Sequence, residues 1–543
     1  MNTPVTQLNN LKARTAALEL YLQQKVVPTS LVKYQSNGKL VIIGAQQAID
    51  FAATLDKKLN VTVLLTQGKS DAKANIVSLH GHTIQIGGYL GAFNLSVNDA
   101  ANSDLNSLTI NCDLVLDLSP EPILQQVMLP NGYFSCASDT ESLQQMAQQL
   151  ANMVGTFEKP KFIEYAADIC AHSRAGKTAC RKCIDVCPAE AITSLAEMVQ
   201  VDTHLCQGGG ACATVCPSGA MSYVYPRTED LLKNIRLLIR SYTEQGGEQP
   251  ILAFYADADG GDIELPQQSN ILAVSIEELA STGLEVWLTI LAYGAHSVLL
   301  VNRGGTAQEM LAEIEQQILV ASEILQALGY PQEAIALINA DSLQENIASH
   351  MPAISQASFA AMGGKRQTAF FAIDHLYAQA ERPRKMANFS TAASDSAMFG
   401  TVFVENNCTL CHACVAACPG KALQTGEGLP QLKFIEANCL QCGMCTRTCP
   451  ENAISISPRL LFEREQRQQQ RLLFEESPFN CISCGKPFAT RSVIENMLSK
   501  LSGHWMFKTE RARNRLKMCE DCRVVDVVQD EAAMTAEKEQ SLH

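Results

Sequence analysis

The sequence predicts a multidomain chain of mixed α/β and α+β class. Apolar runs of strand length alternate with helix-period stretches in two separate regions, the pattern of parallel sheets. Cysteines gather in tight groups after each region, at spacings that repeat along the chain. The length, 543 residues, leaves room for roughly three to five such domains.

Residues 1–30 read as a polar helix ahead of the first fold. KLVIIGAQQAIDFAATL then gives a strand, a glycine and a helix, and NVTVLL (60–65) and CDLVLDL (112–118) give further strands. This predicts a Rossmann-like α/β domain over 1–155. It is a degenerate one, because G-x-G-x-x-G is absent and Gly44 is followed by Ala45, Gln46 and Gln47. The first cysteine group falls in a unit over 156–230. A second α/β region over 231–377 has strands at ILAFYA (251–256), NILAVSI (270–276), HSVLLVN (296–302) and AIALINA (334–340). A long helical pattern fills 306–329, and Arg303–Thr306 reads as the turn and N-cap before it. Residues 378–399 read as a linker, and 400–458 hold the second cysteine group. The charged stretch LLFEREQRQQQRLLFEE reads as helix, within a small zinc-type module over 459–528 that holds the third group. The tail 529–543 is polar and expected to be disordered.

The composition, 47% apolar and 18% charged, suits globular domains with real cores. A net charge of −14 argues against a nucleic-acid partner, which needs clustered Lys and Arg. The N-terminus has no apolar core of a signal peptide, and no run of about 18 apolar residues exists to span a membrane. A cytoplasmic location is expected. An odd count of 21 cysteines without an export signal points to metal or redox chemistry rather than a disulfide framework. Cys112 and Cys136 stand apart and read as small core residues.

The second cysteine group is complete. Cys408-x2-Cys411-x2-Cys414-x3-Cys418-Pro419 precedes Cys439-x2-Cys442-x2-Cys445-x3-Cys449-Pro450. In such paired runs the fourth cysteine of each ligates the other cluster. One [4Fe–4S] cube is therefore expected on Cys408, Cys411, Cys414 and Cys449, the other on Cys439, Cys442, Cys445 and Cys418. Two residues between ligands let the backbone wrap a cube face, so that N–H groups offset its negative charge.

The segments CPAEAI (187–192), CPSGAM (216–221), CPGKAL (418–423) and CPENAI (449–454) all fit Cys-Pro-x-x-Ala-apolar. The repeat makes 170–221 a second ferredoxin-like 2[4Fe–4S] unit. Its first half has Cys180, Cys183 and Cys187, with Lys177 in the first ligand's place and Cys170 upstream. Its second half has Cys206, Cys212 and Cys216, with Gly209 where a cysteine belongs. Cross-ligation assigns Cys170, Cys180, Cys183 and Cys216 to one cube. The other keeps only Cys187, Cys206 and Cys212, which can hold [3Fe–4S], or [4Fe–4S] with water or another side chain such as His204 on the fourth iron; the alternative is a site that has lost its cluster. Three [4Fe–4S] clusters and this fourth site are the expected cofactors. The third group, Cys481-x2-Cys484 and Cys519-x2-Cys522, reads as a closed zinc site of four cysteines.

Residues 408–454 resemble two-cluster bacterial ferredoxins. ICAHSRAGKTACRKCIDVCPAEAI resembles proteobacterial ferredoxin-type proteins associated with molybdenum enzymes such as formate dehydrogenase; those relatives commonly carry a cysteine at the place of Gly209. NILAVSIEELASTGLEVWLTILAYGAHSVLLVNRGG is similar to the delta-type subunit of methyl-viologen-reducing hydrogenases, without that subunit's cluster cysteines. VIIGAQQAIDFAATL and GYLGAFNLSV are similar to the flavin subunit of heterodisulfide reductase, but the missing dinucleotide glycines count against flavin. These likenesses imply an electron-transfer protein or subunit that serves a redox partner, with a molybdenum-dependent dehydrogenase as one candidate. No triad, metal-hydrolase motif or phosphate loop is present, so no substrate-converting site is expected. The alternatives are a flavin- or nucleotide-dependent oxidoreductase, and a scaffold or maturation factor for a metalloenzyme.

Overall fold

The computed structural model describes residues 4–67, 75–79, 82–99, 108–136, 139–174, 176–257, 263–266, 270–344, 351–427 and 429–530. The expected disordered tail lies, from 531 on, outside the described residues. The chain divides into two compact units, Met1–Ala167 with Arg181–Pro383, and Asp168–Cys180 with Arg384–His543. No helix among the described residues is long and apolar enough to cross a membrane.

The first unit contains two parallel sheets. The first runs in the order Ile76–Ser78, Asn60–Leu65, Lys39–Gly44, Leu114–Asp117, Tyr133–Ser135. Its central strand is buried on both faces from Leu40 onward, which is why LVII reads as a continuous apolar run. Leu40 and Ile42 pack with Phe51 and Leu150 on one side; Val41 and Ile43 pack with Phe93 and Leu95 on the other. The second sheet runs Ile271–Ile276, Ile251–Ala256, Ser297–Asn302, Ile335–Asn339, again all parallel. The helix Leu284–Ala292 is buried along its whole length, and Trp287 donates its indole N–H to Thr282 Oγ1 at 3.0 Å. The helical pattern at 306–329 is the helix Gln308–Leu328, closed by Gly329 in the left-handed region (φ 87°).

The strand expected over 112–118 is two strands. Leu108–Cys112 belongs to an antiparallel meander, and Leu114–Asp117 to the parallel sheet. Asp113 makes the break, because its carboxylate accepts the N–H groups of Asn37 (2.8 Å) and Lys39 (2.9 Å) and ties the junction to the central strand.

In the second unit, Met386–Asn388, Ile454–Leu461 and Gly400–Val404 form one antiparallel sheet, and Leu423–Thr425, Gln431–Ile435 and Gln470–Glu475 another. The expected linker over 378–399 therefore contributes an edge strand. The charged stretch expected as helix is helical only over Arg464–Gln468. Its charge spacing mimics helical i,i+4 pairs, but Leu472 pairs with Lys433, and sheet pairing overrides the local preference.

Glu436 is buried in this unit. Its carboxylate accepts Arg459 Nε at 2.8 Å and Nη2 at 2.6 Å, and Arg471 Nη2 stands 3.9 Å away. Glu436→Gln leaves two guanidinium groups facing one neutral amide. Stability is expected to fall by about 3 kcal/mol, read as an earlier melting transition of the second unit. Glu436→Asp keeps the charge on a side chain one carbon shorter, and it too is expected to melt early, though later than the glutamine variant.

Candidate metal centres

Three cysteine loops follow one backbone course. On either side of the middle position the chain turns left-handed: Leu410 (φ 54°) and His412 (57°) about Cys411, Gln441 (53°) and Gly443 (71°) about Cys442, Gly208 (85°) and Gly210 (79°) about Gly209. Residues with side chains rarely adopt this region, and such strain concentrates at functional sites. Each loop then enters a short helix, Ala413–Ala417, Met444–Thr448 or Ala211–Val215, and leaves it at Cys418, Cys449 or Cys216. The third residue after each Cys of the four Cys-Pro segments is also left-handed: Glu190 (48°), Gly219 (75°), Lys421 (53°) and Asn452 (50°). That bend aims amide groups back at sulfur. Ala422 N–H donates to Cys418 Sγ and Ala453 N–H to Cys449 Sγ, each at 3.3 Å, and Met221 N–H donates to Cys216 Sγ at 3.4 Å. Gly209 thus stands in the place of Cys411 and Cys442 on a loop of the same shape; only the sulfur is missing.

The loops bring their cysteines together crosswise. Cys408, Cys411 and Cys414 line one pocket with Cys449; Cys439, Cys442 and Cys445 line a second with Cys418. In the first unit, Cys206 and Cys212 line a third with Cys187. Burial, and then the neighbouring thiols, push Cys414 and Cys442 up to about 12 and raise Cys212 as well. Cys445 is raised chiefly by burial, then by Cys439, Cys442 and Cys418 beside it and by Cys414 of the neighbouring pocket. Buried thiols that resist ionisation by themselves suit a cationic group that displaces their protons. His412 Nδ1, buried in the wall of the first pocket, has no hydrogen-bond partner among the described residues. This donor set, all sulfur with amides aimed at sulfur, fits iron–sulfur clusters.

The remaining cysteines of the first group are divided. Cys170 and Cys180 belong to the second unit, Cys183 and Cys216 to the first. Cys180 lies near enough to Cys442 to raise its pKa, after burial and the other thiols, and Arg447 Nη1 donates to Thr178 O at 2.6 Å. Cys183 and Cys216 act on Cys212 in the same way. The loop about Cys180 lacks the left-handed course, since Arg181 has φ −126°. His204 is stacked on Tyr89 at 4.3 Å and lies edge-on to Tyr34 at 5.5 Å, so aromatic packing accounts for its ring.

Two lysines bear on the third pocket, and no local sequence pattern marks them. Lys159 Nζ donates to the carbonyls of His204 (2.8 Å) and Cys206 (2.6 Å), and burial lowers its pKa to about 8 against the pull of Cys206. Lys365 Nζ donates to Ala213 O at 2.9 Å and to Thr214 O, and stands 3.9 Å from the Glu285 carboxylate. Both cations sit where a negatively charged group on the Cys206–Cys216 loop gains most from them.

Cys481, Cys484, Cys519 and Cys522 are arranged differently. Their sulfurs all lie within 4.8 Å of one another, and Cys484 and Cys519 are 3.7 Å apart. A tetrahedron of thiolates about one ion has edges of about 3.8 Å, given a metal–sulfur bond of about 2.3 Å. Burial opposes ionisation of Cys481, but the N–H groups of Cys484, Cys519 and Ser483 prevail and bring it down to about 6. Cys519 stands at the N-cap position of the helix Glu520–Val528.

Residues 177–225 match a family model described as an LdpA Fe-S cluster-binding domain, and residues 407–454 match one described as a 4Fe-4S dicluster domain. No curated protein matches this chain. The two matched stretches contain the three left-handed loops, and the chain is an iron–sulfur protein.

Proposed function

We propose that the chain is an electron-transfer protein or subunit that passes single electrons between a partner oxidoreductase and an acceptor. The observation that carries this reading is the threefold repeat of the left-handed cysteine loop, each loop sharing its pocket with a cysteine from the paired half-motif. One [4Fe–4S] cluster takes Cys408, Cys411, Cys414 and Cys449, and another takes Cys439, Cys442, Cys445 and Cys418. A cluster of three or four irons sits on Cys187, Cys206 and Cys212. A further cube on Cys170, Cys180, Cys183 and Cys216 follows from the sequence spacing. The clusters supply one-electron chemistry; the chain supplies ligands, burial and N–H donors that set their potentials.

The compact set of four cysteines at 481–522 supports a single structural zinc ion rather than another cluster, because its sulfurs all lie within 4.8 Å of one another and one pair stands at 3.7 Å, about the edge of a thiolate tetrahedron. A molybdenum-dependent dehydrogenase is the proposed partner, on the resemblance of the motif at 169–192 alone. The test is an iron, sulfide and zinc count on anaerobically purified full-length protein, followed by reduction with candidate dehydrogenases. A colourless preparation holding only zinc sinks the proposal.

Gly209→Cys separates this reading from a site without a cluster. The backbone at 209 is not left-handed, and an added Cβ meets the flexible end of Met310, with Sδ at 2.8 Å, so the new thiol is accommodated by a small shift. Redox-titrated EPR is expected to show one centre changed, with a lower potential as an anionic ligand is added, and the others untouched. An unaltered spectrum counts against a cluster at Cys187, Cys206 and Cys212.

A further inference from the structure

The three-cysteine pocket has a fourth sulfur in its wall. Met128 lines it together with Cys187, Cys206 and Cys212, and its Sδ lies 3.8 Å from the point a Cβ at position 209 would occupy. That is ordinary contact distance from the backbone position at which the paired loops carry Cys411 and Cys442. Met128 is not there by loose packing. Its N–H donates to Pro188 O at 3.1 Å, directly after Cys187. On one side Gln126 Nε2 donates to Glu190 at 3.1 Å; on the other, Leu129 O accepts Gln207 Nε2 at 2.5 Å, directly after Cys206. The segment 126–129 is thus pinned to both half-motifs that supply the three cysteines, and Met128 is carried over the corner that Gly209 leaves without a ligand.

We propose that the Met128 thioether is the fourth ligand of this site, completing a four-iron cluster held by three thiolates and one thioether. The inference rests on the cluster-binding reading of Cys187, Cys206 and Cys212 given above. A thioether is a soft sulfur donor suited to iron in such clusters. It is neutral, so the cluster and its ligands carry one negative charge fewer than an all-thiolate cube, and this site has the highest potential in the chain. Lys159, hydrogen-bonded to the Cys206 carbonyl, acts in the same direction.

Met310 is the internal control. Its Sδ lies 2.8 Å from the same Cβ point, but it does not line the cysteine pocket. Full-length protein is produced with selenomethionine, purified anaerobically, and studied by iron X-ray absorption, Mössbauer spectroscopy and EPR. An iron–selenium scattering path is expected in the native chain and in Met310→Leu, and its loss in Met128→Leu. Leucine keeps the volume but offers no donor. Met128→Leu is also expected to lose one iron per chain and to gain a three-iron EPR signal when oxidised. The proposal is overturned by the absence of an iron–selenium path in the native protein, by its survival in Met128→Leu, or by its loss in Met310→Leu. Cys206→Ser distinguishes the two levels of failure. If it changes no cluster signal, the site holds no cluster; if it does while Met128→Leu changes nothing, only the thioether assignment falls.

Discussion

Cys414→Ala is expected to remove one cluster from the second unit, lowering iron and sulfide by about four atoms each per chain. Cys414 is buried in the core that also contains Phe434, Leu432 and Val402, so its thiol is both ligand and packing element. Alanine removes one of the four sulfur donors that line this pocket. The effect should spread beyond one pocket, because each run of cysteines serves both: Cys418, at the end of the helix that begins beside Cys414, lines the neighbouring pocket. Loss of the first cluster therefore loosens the helix that positions a ligand of the second. Iron analysis, visible absorption and the melting curve of the full-length variant read this out. Serine at the exposed Cys411 should be milder, since its oxygen can still donate to iron at a rim position. An unchanged iron count in Cys414→Ala would refute the assignment of this pocket.

Cys519→Ser, or a strong zinc chelator, is expected to unfold residues 478–528 while leaving the iron–sulfur absorption in place. Within this stretch the buried residues are few: Thr490, Ile494, Ala512 and Leu516, with Cys481 and Cys519 themselves. Trp505 is 53% exposed and Val524 and Val528 are each 64% exposed, so apolar burial is a weak source of stability here. On the proposed zinc site, metal–thiolate bonds take its place; in small domains of this kind they contribute about 10–16 kcal/mol of apparent folding free energy. Hydrogen exchange across 478–528 should rise to near the rate of an open chain after chelation and recover on adding zinc. Protection that survives complete metal removal would show that the segment folds without the ion.

Much of the candidate site is legible in the sequence because cluster ligation is local. Cys-x2-Cys runs and the four Cys-Pro-x-x-Ala segments are contiguous, and glycines at 208, 210 and 443 advertise left-handed backbone. Leu410, His412, Gln441 and Lys421 take the same conformation without any such signal, because the surrounding loop, not their own preference, holds them there. Met128, Lys159 and Lys365 are not legible at all. Each reaches its place through the tertiary fold, from a segment remote in sequence, and none belongs to a pattern. In the fold, the strands of both parallel sheets announce themselves as apolar runs. The strand Gln470–Glu475 does not, because most of its residues face solvent and its charges imitate a helix.

The division of the chain bears on how the molecule is made. Residues 168–180 belong with a unit whose remainder begins at Arg384, roughly 200 residues later. At a translation rate of about 5–20 residues per second, this hairpin is synthesised about 13–54 s before Arg447, which binds the Thr178 carbonyl. Cys170 and Cys180 therefore wait on the nascent chain until the rest of their own unit has been made.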